Sequence, residues 1–186
     1  GFIIAGASIR SFPVGQNQDL MPHLERAYLH SVPKPTALVL NYPANPTAAV
    51  VDLDFYRPIV DFCRKKEIFI LSDIAYAEIY FDGNPPPSIL QIPEARDVAV
   101  EFYSLSKTYS MPGWRIGFAA GNRRLCGALA RVKSYVDYGA FTPIQVAGTA
   151  ALNGPQDCVE QIRQLYRDRR DILIEGLESA GWPVPS

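Results

Sequence analysis

The chain has 186 residues, 48% hydrophobic and 20% charged, and its 18 Lys and Arg against 19 Asp and Glu leave a formal charge of -1. That length and balance can bury a core, which excludes disordered and coiled-coil architectures, and the near-neutral charge carries no nucleic-acid footprint. Cys63, Cys126 and Cys158 are scattered and only His23 and His30 accompany them, so no metal site is expected and a reducing, cytoplasmic compartment is.

Short β-branched runs alternate with longer amphipathic stretches, a pattern that predicts an α/β sheet. Strands are predicted at Ala7–Val14, Ala37–Asn41, Ile68–Ser72, Val98–Ser104 and Arg115–Ala120. Four of these are short and nearly continuously apolar, as strands covered on both faces are. Helices are predicted at Leu20–His30, at Phe55–Lys66 with Pro58 near its start, where a missing N–H costs least, and at Arg123–Tyr138. Loops fall at Asn45-Pro46-Thr47, at Asp82-Gly83-Asn84 with Pro85 to Pro87, and at Met111-Pro112-Gly113. A small-residue helix is expected from Thr142 to Leu152, stopped by Asn153-Gly154-Pro155. A long one follows from Gln156 to Ser179, with Val159, Ile162, Leu165, Tyr166, Ile172, Leu173 and Leu177 mostly at helical spacing and its charges on a solvated face. Apolar runs such as Ile68 to Leu71 are far too short to span a bilayer, so no membrane partner is expected. The chain starts on Gly1 without a methionine and stops soon after its last helix, so it is expected to be an excerpt of something longer.

The segment that carries chemistry runs from Phe102 to Phe118. A strand ends in Ser104, Lys107 follows three residues later, and Arg115 comes eight residues after that. In open α/β sheets ligand chemistry gathers outside the carboxyl ends of strands. Two serine hydroxyls and a guanidinium suit a phosphate, and a lysine beside them serves either as a point-charge anchor or as a Schiff-base nucleophile toward an aldehyde. The strand Ile68–Ser72 runs into Asp73, Ile74, Ala75 and Tyr76. An aspartate there is commonly a turn cap, but pyridoxal phosphate needs a carboxylate to keep its pyridine nitrogen protonated. Asn45 before Pro46 is either a turn residue or an amide for the cofactor's phenolic oxygen, and a cis Asn45-Pro46 bond is compatible with both.

Asn45-Pro46-Thr47, Asp73-x-x-Tyr76 and Ser104-x-Ser106-Lys107 with Arg115 occur in this order, each at a strand end. On these residues, with Phe2 to Gly6 and Asn41 to Thr47, the chain resembles the class I/II aminotransferases of the fold-type I pyridoxal-phosphate superfamily. The aspartate/alanine and LL-diaminopimelate branch is the nearest in pattern. The resemblance implies a three-layer α/β/α sandwich with a mostly parallel sheet, here an incomplete large domain. Residues 1–153 would be the central part of that domain, and 154–186 a linker helix leading to a small domain outside the chain. It implies pyridoxal 5'-phosphate bound covalently by Lys107, which would also serve as the acid/base. Asp73 would pair with the pyridinium nitrogen, and Tyr76 and Asn45 would hydrogen-bond the phenolic oxygen. Ser104, Ser106 and Arg115 would hold the phosphate, with Ala75 against one ring face. Amino acid and 2-oxo acid substrates and a homodimer are implied as well. Ala48 departs from the family, which often has glycine after Asn-Pro-Thr; the position shapes a turn.

Two alternatives stay open. The same lysine and aspartate also serve β-elimination or decarboxylation, and a non-catalytic excerpt or oligomerisation domain would need neither. Trp114 and Tyr109 read as packing and loop residues, and Cys63, Cys126, His23 and His30 are given no role. Tyr135, Tyr138 and Phe141 read as core packing, with a subunit contact or active-site rim as the alternative.

Overall fold

In the computed structural model, residues 1–13, 19–81 and 83–184 are described. Val14 of the first predicted strand, Asp82 of the proline-rich loop, and Pro185 and Ser186 lie outside the described residues. The helices are α1 (Met21–Leu29), α2 (Leu53–Lys65), α3 (Leu105–Thr108), α4 (Arg123–Val136), α5 (Thr142–Asn153) and α6 (Asp157–Ser179). The strands are β1 (Ala37–Asn41), β2 (Phe69–Asp73), β3 (Ala99–Ser104) and β4 (Gly117–Gly121). They form one sheet in the order β1-β2-β3-β4, with β1, β2 and β3 parallel and β4 antiparallel to β3. This is an α/β fold with a mostly parallel sheet, as the alternation of elements predicts.

Helix α2 shows why these residues fold locally as they do. Asp52 caps its start, its Oδ1 accepting the Phe55 N–H at 2.9 Å, which satisfies one of the orphan donors of the first turn. Tyr56, Ile59, Val60 and Cys63 then fall on one stripe and are all buried. Because the helix begins at Leu53, Pro58 sits inside it rather than near its start, and its place costs one intrahelical hydrogen bond. Burial pushes the Cys63 thiol up to about 12, so it stays protonated and packs as a small hydrophobe.

The α2 stripe covers the sheet face that carries Leu38, Leu40, Ile70 and Ala99. Helix α4 lies on the opposite face, with the Arg124 guanidinium 5.7 Å from the centre of the Phe69 ring. Helices therefore flank the sheet on both sides, but the cover is partial. Exposed and buried residues alternate along β1, Val39 is exposed, and β4 is exposed or half-buried throughout. The expectation of strands covered on both faces fails at the two edges of the sheet. The predicted strand at Ala7–Val14 is absent as well: residues 7–13 form no strand, and only Phe12 among them packs against the core. Ile9 is exposed and no neighbouring ladder satisfies this segment, while Pro13 offers no N–H to one. Tyr135, Tyr138 and Phe141 are exposed rather than packed in the core.

One charge is buried in this frame. Glu101 on β3 accepts hydrogen bonds from the Ser88 hydroxyl at 2.5 Å and the Ile89 N–H at 2.9 Å, which ties the turns after β2 to the centre of the sheet. Burial pushes its carboxyl above the usual value of 4.5, partly offset by these two donors. A carboxyl that holds its proton more tightly folded than unfolded stabilises the fold at acid pH, and loses that contribution as pH rises. Glu101→Gln, whose amide oxygen can still accept the Ile89 N–H while its Nε2 donates to the Ser88 hydroxyl oxygen, is expected to gain stability relative to the native chain from pH 4.5 upward. Urea denaturation across that range checks this, and parallel stability curves for the two proteins would rule it out.

Candidate active site

The register of the parallel strands aligns Asn41, Asp73 and Phe102 side by side. The chain leaves β1, β2 and β3 in the same direction, so the segments after them collect at one edge. After β1 the chain turns through cis Tyr42-Pro43 and cis Asn45-Pro46 peptide bonds. Asn41 organises this turn: its Oδ1 accepts the Asn45 N–H at 2.9 Å, and its Nδ2 donates to the Asp73 carbonyl at 3.2 Å. The loop after β1 and the end of β2 are thereby pinned together. Asn41 was not among the predicted site residues. The available signal was a polar residue closing an otherwise apolar strand immediately before a proline-rich turn.

The loop then delivers Asn45, whose Nδ2 donates to the Tyr76 hydroxyl at 3.2 Å. Tyr76 is reached from β2 through a turn in which Asp73 Oδ1 accepts the Ala75 N–H at 3.1 Å. The carboxylate is thus oriented by its own backbone, exposed at the strand end, with its second oxygen unused by any hydrogen bond among the described residues. Asp73 acts both as the commonplace turn residue and as a charge facing outward.

From β3 the chain enters the single turn of α3. The Ser104 hydroxyl accepts the Ser106 N–H at 3.2 Å and caps that turn. Lys107 lies in it, half-buried, with Nζ 5.7 Å from the centre of the Tyr76 ring. Among the described residues neither Lys107 nor Asp73 takes part in an ion pair. Arg115 stands where α3 returns to the sheet. It adopts a left-handed backbone with φ 52° and donates from its guanidinium to the Pro112 carbonyl at 2.9 Å. The structure brings Asn45, Tyr76 and Lys107 together, and leaves Arg115 bonded to its own turn.

A concave region of about 670 Å³ lies between the sheet and α4, lined by Phe102, Phe118, Leu129, Lys133 and Tyr138 among others, and contains none of the predicted site residues. A smaller one, of about 380 Å³, lies behind Thr108 and Tyr109 against α6. That second region corrects the reading of α6 as carrying only a solvated charged face. The Arg163 side chain is 11% exposed and paired with Glu78 and Glu160. Tyr109, read from sequence as a loop residue, donates from its hydroxyl to Gln156 Oε1 at 2.9 Å.

The donor set is an amine, a phenol bonded to an amide, an outward carboxylate, two capping-turn serines and a guanidinium, all at one edge of a mostly parallel sheet. That combination fits a ligand with an aldehyde, a phenolic oxygen, a cationic ring nitrogen and a phosphate. The mostly parallel sheet flanked by helices is the architecture of the fold-type I class. The family pattern described as "Aminotransferase class I and II" matches residues 1–186, and the chain belongs to that family. It is 58% identical to AatC of Rhizobium meliloti over 100% of this chain and 46% of that protein. It is 52% identical to the glutamate-pyruvate aminotransferase AlaC of Escherichia coli, over 99% of this chain and 45% of that protein. A solved aminotransferase structure from Neisseria meningitidis superposes with a TM-score of 0.84 at 29% identity, covering 96% of this chain and 46% of that one. The chain spans just under half the length of these relatives.

Ala48 closes the loop that carries Asn45, its N–H donating to the Ala44 carbonyl at 2.8 Å. Its φ of 57° lies in the left-handed region that favours glycine, which gives the departure from the family's glycine a physical cost. Ala48→Gly is expected to stabilise the fold by about 1 kcal/mol. A lowered denaturation midpoint in that variant would contradict the strain.

Proposed function

We propose that the protein carrying this chain is a pyridoxal 5'-phosphate-dependent aminotransferase, moving an amino group between an amino acid and a 2-oxo acid. The observation that carries this reading is the meeting of Lys107, Tyr76 and Asn45, three side chains delivered by three separate strand ends. Family membership supports it, because aminotransferases of this family use that cofactor.

In this reading Lys107 binds the cofactor covalently through its amine, and Asp73 keeps the ring nitrogen protonated with the carboxylate oxygen that its own turn leaves unused. Tyr76 would donate its hydroxyl proton to the phenolic oxygen while accepting from Asn45. Ala75 lies against a ring face. Ser104, Ser106 and Arg115 take the phosphate, with the Arg115 guanidinium exchanging the Pro112 carbonyl for it. When bound, the cofactor supplies an electron sink for negative charge at the substrate Cα. The Lys107 amine would hold and return the proton at that carbon, a role open to a primary amine placed at this edge of the sheet. Residues 1–153 would form the central part of a large domain, with α6 connecting onward. A homodimer in the cytoplasm fits the exposed apolar side chains of Tyr135, Tyr138 and Phe141. No helix among the described residues is long and apolar enough to cross a membrane.

Borohydride reduction in the presence of pyridoxal phosphate is expected to leave a stable adduct on Lys107, located by peptide mass spectrometry, and none in Lys107→Ala. Product analysis then separates the reaction classes. A new amino acid formed from an added 2-oxo acid supports amino transfer, whereas pyruvate with ammonia would identify β-elimination and carbon dioxide a decarboxylase. An absent adduct in the folded native protein would overturn the cofactor assignment itself.

A further inference from the structure

Arg163 is an unusual residue for the charged side of a long surface helix. Its guanidinium Nε donates to the Glu78 backbone carbonyl at 3.1 Å, and a terminal nitrogen lies 3.4 Å from the Glu78 carboxylate. A second terminal nitrogen pairs with Glu160 one turn earlier on α6. The guanidinium carbon stands 4.0 Å from the centre of the Tyr80 ring. A planar fork that hydrogen-bonds, ion-pairs and stacks at once is a geometry lysine cannot reproduce.

Everything Arg163 holds outside its own helix belongs to the segment after β2 that carries Ala75 and Tyr76. That segment has few hydrogen bonds of its own. Among them are Ala77 N–H to the Ile74 carbonyl and Ile79 N–H to the Tyr76 carbonyl, each at 3.0 Å. Seven residues before Arg163, at the start of α6, Gln156 accepts from the Tyr109 hydroxyl, and Tyr109 is the residue that closes the Lys107 turn. The amide nitrogen of Gln156 is anchored on the Ala151 and Gly154 carbonyls at the end of α5. One element thus grips both the Tyr76 segment and the Lys107 turn.

We propose that Arg163 is a positioning residue: through Glu78 and Tyr80 it sets where Tyr76 stands relative to Lys107, with Gln156 and Tyr109 fixing the other side. A shift of α6 would then move the phenol and the amine relative to each other, which makes the helix a mechanical link between the site and whatever the helix leads into. The inference deepens the aminotransferase reading and rests on it for its consequence in catalysis, but its structural half stands alone.

The test uses the purified protein carrying Arg163→Met, Arg163→Lys and Glu78→Gln. Without cofactor, hydrogen exchange of residues 74–81 is expected to speed up about tenfold in Arg163→Met, with β1 residues 37–41 unchanged. With pyridoxal phosphate, kcat is expected to fall about tenfold while the KM for the amino acid stays within about twofold, since the substrate's own contacts are untouched. Arg163→Lys should recover only a minority of either effect, and Glu78→Gln, which keeps the backbone acceptor, should be intermediate. Native exchange at 74–81 in Arg163→Met, or full recovery by lysine, would overturn the proposal, as would equal changes in kcat and KM. If Arg163→Met opens β1 as well, Glu78→Gln decides: native exchange and a native kcat in that folded variant count against the link. Absence of a Lys107 adduct in the native protein would defeat the cofactor reading alone, leaving the exchange result to judge Arg163.

Discussion

Asn41, Asp73 and Phe102 lie in one row across three parallel strands, and the site depends on that row. Parallel pairing sends each strand out of the sheet at the same edge, so residues some thirty positions apart in sequence leave within reach of one another. The alignment is held by backbone ladders inside a core of Leu38, Leu40, Ile70 and Ala99 against α2. It is reinforced at the edge by the Asn41 amide, which bonds the β1 loop on one side and the end of β2 on the other. A slip of one residue would turn Leu38 and Leu40 to the outer face and take Asn41 away from Asp73. Core packing and site geometry are therefore fixed by the same register.

That economy has a visible cost at the edges. β4 runs antiparallel to β3 and lies so close that a Cβ at Gly117 or Gly121 would overlap the carbonyl oxygens of Tyr103 and Ala99. Glycines at these two points allow β4 to lie against the strand that delivers Lys107. The outer surfaces stay apolar: Phe118 is partly exposed, Phe141 largely so and Tyr138 almost wholly. Apolar surface of this kind is ordinarily covered by another part of a protein or by a partner. The relatives, which are about twice as long as this chain, have more chain with which to cover it.

Much of this was legible in the sequence. All four strands and every helix longer than one turn were visible from apolar periodicity, because those elements bury a stripe or a face and the pattern records it. The candidate residues Asn45, Asp73, Tyr76 and Lys107 stood out because polar and charged side chains just past apolar strands are the ones a ligand site at strand ends would use. Ala7–Val14 misled because β-branched residues resemble a strand wherever they occur, whereas a strand exists only where a ladder receives its N–H and C=O groups. Pro58 misled because the cap at Asp52 lies upstream of the apolar stripe and lengthens the helix beyond it. The roles of Asn41 and Arg163 were hidden for another reason. Each acts on residues distant in sequence, and no local spacing announces that an asparagine spans two strand ends or that one arginine among many turns inward.

The last consideration is electrostatic. An amine and a carboxylate at neighbouring strand ends would ordinarily pair, and a paired lysine is a poor nucleophile for a carbonyl ligand. Here Asp73 is turned by the Ala75 N–H, which occupies one oxygen and directs the group along its own turn. Lys107 leaves β3 through a helical turn capped by Ser104, which points its stem toward the Tyr76 ring instead. The ring face offers the ammonium a weak attraction that a ligand can readily replace. Two local hydrogen bonds, each of a kind found in countless turns, thus keep opposite charges apart at one edge of the sheet. The result is an amine and a carboxylate that stand at one edge of the sheet without an ion pair between them among the described residues. The separation between them is set by the chain itself, through the turn after β2 and the capped turn after β3, and the hydrogen-bonded pair of Tyr76 and Asn45 stands at the same edge.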